Sequence, residues 1–151
     1  MTTKPLTVKQ RVANGARWLD ENFPGWEGRI DINTLRLSEG RRCICGQVFE
    51  KNARRSRKSI TGYEYAVDNL FSEANSWIST IVKSDPISRR STKLEKEWRA
   101  YSVARSLGFL LDTENDILFQ DLQEEWVKLL HRRERARAKA AKAITKAEGN
   151  A

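Results

Sequence analysis

The sequence predicts a mainly α-helical protein, with a compact body of about four helices, a turn-rich segment over residues 26–49 with room for a short β piece, and a long basic C-terminal helix. Three observations lead to this reading. Apolar residues recur every three or four positions in several separate stretches, which lines one face of a helix. Helix-starting and helix-stopping residues bracket those stretches. The last stretch changes character halfway, from large apolar side chains to alanine, arginine and lysine.

The first helix is expected from about Val8 to Asn22. Thr7 and Gln10 fit a capping box, Val12, Ala16, Leu19 and Phe23 form one stripe, and Pro24 and Gly25 end it. Residues 26–49 show no clear period, since Ile30 and Ile32 alternate like a strand while Leu35 and Leu37 fall on the other parity. Residues 43–49 fit a short helix or a buried strand equally. Residues 50–61 hold Lys51, Arg54, Arg55, Arg57 and Lys58 among small polar residues and are expected to form an exposed basic loop.

Gly62 opens the clearest amphipathic pattern, through Tyr63, Val67, Leu70, Phe71, Ala74, Trp77, Ile78 and Ile81. Ser84, Asp85 and Pro86 break it, and a second exposed basic connection carries Arg89 and Arg90. A further helix over about 92–107 is expected to bury Leu94, Trp98, Tyr101 and Ala104, with Gly108 as a left-handed cap. Asp112, Glu114 and Asp116 then precede the final helix, where its positive dipole end favours them.

That final helix, expected over 116–146, divides the chain. Leu118, Leu122, Trp126 and Leu129 give its first half a face to dock on a core. Its second half offers Arg132, Arg133, Arg135, Arg137, Lys139, Lys142 and Lys146, with Glu134 the only acid before Glu148. Residues 1–130 therefore read as a helical globular domain and 131–151 as a basic helical extension.

Composition limits the function classes. With 151 residues, 39% of them hydrophobic and five of them tryptophan, the chain can bury a core without metals or disulfides. A net charge of +8 suits polyanions or acidic protein faces. No run approaches a membrane span and residues 1–9 lack the apolar core of a secretory signal, so a cytoplasmic location is expected. Cys43 and Cys45 are too close for an unstrained disulfide, and free thiols are expected.

Residues 15–20 leading to Pro24, Gly25 and Trp26, residues 30–37 with 43–47, and residues 107–109 before 122–126 together resemble a group of small uncharacterised cytoplasmic proteins of actinobacteria and their bacteriophages. The similarity is scattered over residues 14–126. It implies a phage-associated or host-associated setting and brings no catalytic residue. Those proteins lack the basic insertion at 51–58, the spacer at 77–90 and the basic tail, so the basic additions distinguish this chain.

No reaction motif emerges. The two cysteines have the wrong spacing for structural zinc, and His131, the single histidine and so the only imidazole available as a base, reads as a surface residue of the last helix beside a positive cluster. The pairs Asp20 and Glu21, and Glu124 and Glu125, point to different helix faces, and Gly25 with Gly28 lacks the lysine of a phosphate loop. A non-enzymatic protein without metal or cofactor is expected. The expected partner is nucleic acid, bound without sequence choice through phosphates by Arg54, Arg55, Arg57, Lys58, Arg89, Arg90 and the seven late cations, whose charges are expected on every side of the helix. The alternative is a protein-interaction module that binds a host factor or self-assembles through Trp26 or the stripe of Ala136, Ala140, Ala143, Ile144 and Ala147.

Overall fold

The computed structural model describes residues 4–56, 58–71 and 93–149, the side chains of 93–98 excepted. Those residues form six α-helices and no strand, with a single antiparallel bridge between Asp112 and Ile117. The protein is mainly α, as its periodicity predicts. In chain order the helices are α1 (Val8–Asn22), α2 (Ile44–Val48), α3 (Glu50–Arg55), α4 (Gly62–Asn69), α5 (Lys93–Ser106) and α6 (Phe119–Gly149).

Helix α1 starts where its capping box places it. The Thr7 hydroxyl accepts the Gln10 amide at 3.1 Å and the Gln10 carboxamide accepts the Thr7 amide at 2.9 Å. Its buried face includes Val12, Ala16, Trp18 and Leu19. Gly15 lies on the same face because nothing larger fits: a Cβ there would collide with the Leu107 carbonyl oxygen and lie 2.8 Å from the Trp126 ring. The backbone of α1 thus lies against the turn after α5 and the indole of α6.

Residues 26–49 are turn-rich, with 3₁₀ turns at Trp26–Arg29 and Ile32–Thr34, and residues 43–49 resolve in favour of a helix. Cys43 caps α2, its sulfur accepting the Gly46 amide at 3.2 Å. The exposed basic loop expected over 50–61 is instead partly helical. Glu50 opens α3 and Arg54 and Arg55 close it, each sign at the favourable dipole end, while Ala53 is buried. The expected short β piece does not form among the described residues.

Helix α4 is shorter than its pattern suggests. It ends at Asn69, where the amides of Leu70 and Phe71 both donate to the Ala66 carbonyl, at 2.9 and 3.0 Å, and Phe71 turns into the core. The expected continuation through Ala74, Trp77, Ile78 and Ile81 lies outside the described residues, as do Arg57, Arg89 and Arg90. Helix α5 buries Ala100, Val103 and Ala104; of the residues expected inside, Ala104 is buried, Tyr101 is 38% exposed, and the side chains of Leu94 and Trp98 lie outside the described ones. Gly108 has φ +71°, and the Gly108 and Phe109 amides donate to the Arg105 and Ala104 carbonyls, which closes α5 with a Schellman turn.

The acidic loop before α6 does other work than the dipole argument assigns it. The Asp112 carboxylate pairs with buried Arg11 at 2.9 Å. Asp116 takes a left-handed φ of +55°, which delays the start of α6 to Phe119 and leaves Leu118 53% exposed instead of on the apolar face. Asp121 supplies the start signal, its carboxylate accepting the Leu118 amide at 3.2 Å. The core is an aromatic series: Phe71 stacks on Phe109, Phe109 on Trp126, and Trp126 meets Trp26 edge-on with centroids 6.0 Å apart.

Candidate nucleic-acid interface

Helix α6 spans 31 residues, about 46 Å at 1.5 Å per residue, and is held by one face only. Leu122, Trp126, Leu129 and Leu130 are buried against the body. Gln123 ties the turn-rich segment to it, accepting the Leu37 amide at 3.0 Å and donating to the Leu35 carbonyl at 2.9 Å. From residue 134 to 149 every side chain is exposed.

The docked face does not end at residue 130. Steps of three and four from Trp126 through Leu129 lead to Arg133, so helix geometry turns this arginine inward. Its guanidinium makes a two-pronged contact with Asp20, at 2.8 and 2.9 Å, and reaches Glu27 at 2.6 Å. It also lies over the Trp26 ring, 5.8 Å from the centroid. Arg137, one turn further, pairs with Glu27 as well. Trp26 completes the arrangement by donating its indole N–H to Asp20 at 2.9 Å. Being 1% exposed, it offers no external contact of the kind the interaction reading assigned to it. The attachment thus extends about two turns beyond the boundary expected at 130/131.

The hydrogen bond from Arg133 holds the Asp20 carboxyl below its ordinary value of 3.8, with Trp26 adding to it against the opposing effect of partial burial. At Asp112, burial pushes the carboxyl up, but the bond from Asn115 and the charge of Arg11 outweigh it and the net shift is again downward. A carboxylate with a depressed folded-state pKa stabilises the fold fully above its unfolded value, and that contribution is lost as pH falls through the folded value. Thermal stability should therefore be flat from neutral pH down to about pH 5 and fall below about pH 4, as melting curves across that range would show. A melting temperature that rises on acidification would contradict both pairings.

The other cations sort onto a second face. Lys128, Arg132, Arg135, Lys139, Lys142 and Lys146 follow one another by steps of four and three, so they form one stripe instead of surrounding the helix. Arg132 leans on Glu125 at 3.9 Å. The remaining five have no ion-pair partner among the described residues, and all are exposed. The stripe runs about 27 Å at 1.5 Å per residue and faces away from the buried leucines.

The basic residues of α3 are placed separately. Arg54 is paired with Glu50 at 2.6 Å and lines a small cleft with Arg41, Glu50 and Thr61, while Arg55 and Lys58 are exposed. Helix α3 packs on α2 and α4, whereas α6 packs on α1, so the two basic regions belong to different parts of the frame.

Sequence reasoning missed Lys128, Asp20, Glu27 and Arg11. Lys128 was legible, since it stands four residues before Arg132. The acids were not, because Asp20 and Glu27 lie 113 and 106 positions from Arg133 and no local signal links them.

The thiols and the histidine have structural surroundings. Cys43 and Cys45 are free and buried, and burial pushes the Cys43 thiol up to about 11 and Cys45 well above its ordinary value, which makes both poor nucleophiles. His131 is exposed beside Glu134 at 3.7 Å. Among the described residues no group of three or more His, Cys, Asp or Glu could hold a metal ion, and no helix is long and apolar enough to cross a membrane.

Fold and surface together define a class: a mainly helical body from which one long helix presents a cationic stripe. Comparison with protein-family models, curated proteins and solved structures finds no match.

Proposed function

We propose that this is a non-enzymatic nucleic-acid-binding protein that contacts phosphates through the stripe of Lys128, Arg132, Arg135, Lys139, Lys142 and Lys146, with Arg55 and Lys58 as secondary contacts. The resemblance to actinobacterial and phage proteins suggests a bacterial cytoplasm as the setting. The observation that carries the reading is the division of cations on α6: Arg133 and Arg137 are paired internally, while from Arg135 onward the stripe has no acid on its own face. Aligned, unneutralised cations on a rigid rod can pair with several phosphates at once and release their counterions.

The test is binding to a short duplex, followed by fluorescence anisotropy at increasing salt. The logarithm of affinity should fall against the logarithm of salt concentration with a slope of about −5, at roughly 0.9 per phosphate neutralised. Truncation after Arg137 keeps the internal anchors but removes Lys139, Lys142 and Lys146, and should flatten the slope by about 2.7. Affinity that is independent of salt, or unaffected by truncation, would remove the stripe as the contact.

A second reading is a protein-interaction helix. Ala136, Ala140, Ala143 and Ala147 continue the docked face past the body, and Ile144 beside them is 60% exposed. Lys139 and Lys146 flank that seam, so two antiparallel copies would set like charges against each other, and an acidic partner helix suits it better. A salt-resistant complex with a host protein would favour this reading over the first.

A further inference from the structure

Resting on the nucleic-acid reading above, we infer that the ligand is duplex DNA and that residues 138–149 of α6 lie in its major groove. Recognition of unpaired bases relies on aromatic side chains on which the bases stack. Residues 131–149 contain no Phe, Trp or Tyr, and the exposed large apolar residues among those described are Tyr101, Leu118 and Ile144, of which only Ile144 lies on the uncovered part of α6. Over these residues α6 offers cations for phosphates and no stacking platform, which favours a paired duplex recognised through its backbone.

Groove shape then selects between duplexes. An α-helix with its side chains is about 10–12 Å across, which matches the major groove of B-form DNA at about 12 Å, while the major groove of A-form RNA is too narrow and deep to admit one. Residues 138–149 are uncovered on every side over about 18 Å. Alanine at 138, 140, 141, 143 and 147 keeps this stretch slim, so the backbone can approach the groove floor.

Lys139, Lys142 and Lys146 reach the phosphates along one wall. Across the face of Ala140, Ala143 and Ala147 from the lysines stand Ile144, Glu148 and Ala141, none of them cationic, so the helix leans against a single strand. Thr145 donates its hydroxyl to the Ala141 carbonyl at 3.0 Å. The face toward the bases is methyl groups, able to touch a thymine methyl but without a hydrogen-bond pattern to read, which fits binding without strong sequence choice.

The experiment compares duplex DNA, duplex RNA and single-stranded DNA of equal length, using the full chain and the charge-neutral double variant A140F/A143F. Both substitutions fall at exposed positions, and circular dichroism checks that the helix persists. Duplex DNA should bind at least tenfold more tightly than duplex RNA. The double variant should lose at least tenfold on duplex DNA, and dimethyl sulfate should show guanine N7 protected by the full chain. Equal affinity for the two duplexes, unchanged binding by the variant, or N7 left reactive would each overturn groove entry while leaving phosphate binding in place. Absence of salt-dependent binding to any of the three would overturn the reading beneath it.

Discussion

Replacing Trp126 with alanine should cost about 3–5 kcal/mol, the range for removing a large aromatic from a packed core. Trp126 is fully buried, stacks on Phe109 with centroids 5.5 Å apart and an interplanar angle of 10°, and meets Trp26 edge-on. Its indole N–H donates to the Gly108 carbonyl at 2.8 Å, so truncation also leaves that buried acceptor without its donor. The void would open beneath Gly15, whose lack of a side chain makes room for the indole. Natural domains are stable by about 5–15 kcal/mol, so the variant should sit close to unfolding at moderate denaturant. The phenylalanine variant retains most of the packing and should lose roughly 1–2 kcal/mol. Denaturant midpoints followed by circular dichroism would separate the two, and an alanine variant with the parent's midpoint would place the indole outside the core.

Arg11→Met should cost about 3–5 kcal/mol, because it breaks a buried ion pair from one side. Arg11 is 4% exposed and holds three partners from different segments: Asp112 at 2.9 Å, the Arg105 carbonyl at 3.2 Å and the Leu6 carbonyl at 3.0 Å. Methionine fills much of the volume but leaves the Asp112 carboxylate with Asn115 as its remaining side-chain donor. The double variant R11M/D112L removes both charges and should recover at least half of the loss, since an apolar pair of similar volume is often no worse than the ion pair. A double variant as unstable as the sum of its parts would show that Arg11 acts through the carbonyls of α5 and the N-terminal segment alone.

Local signals in the sequence were enough where local chemistry sets the structure. The capping box of α1, the cap at Gly108 and the apolar half of α6 all rest on residues within one or two turns of each other. Helices α2 and α3 were harder to read because each is shorter than two turns, too short for a period to emerge, and α3 is disguised by its basic composition. Tyr101 and Leu118 continued an apolar pattern and are nevertheless exposed, since a pattern states which face is apolar but not how far the neighbouring elements cover it.

The site divides in the same way. The stripe from Lys128 to Lys146 is a matter of spacing and was open to reading; the internal pairing of Arg133 and Arg137 depends on α1 and the Trp26–Arg29 turn meeting α6, which only the tertiary fold decides. Helix geometry gave one clue, since Arg133 stands seven residues after Trp126 and so inherits its buried direction.

The most direct measurement compares two charge-matched double variants, R133Q/R137Q and K142Q/K146Q, by melting temperature and by the salt dependence of duplex binding. The stripe pair should leave the melting temperature within about a degree and flatten the slope by about 1.8, at roughly 0.9 for each phosphate no longer neutralised. The anchor pair should lower the melting temperature by a few degrees, about 1–2 kcal/mol after solvent screening, and leave the slope within about 0.5 of the parent. Equal flattening by both pairs, with no difference in stability, would contradict the division of α6 into an anchoring face and a binding face.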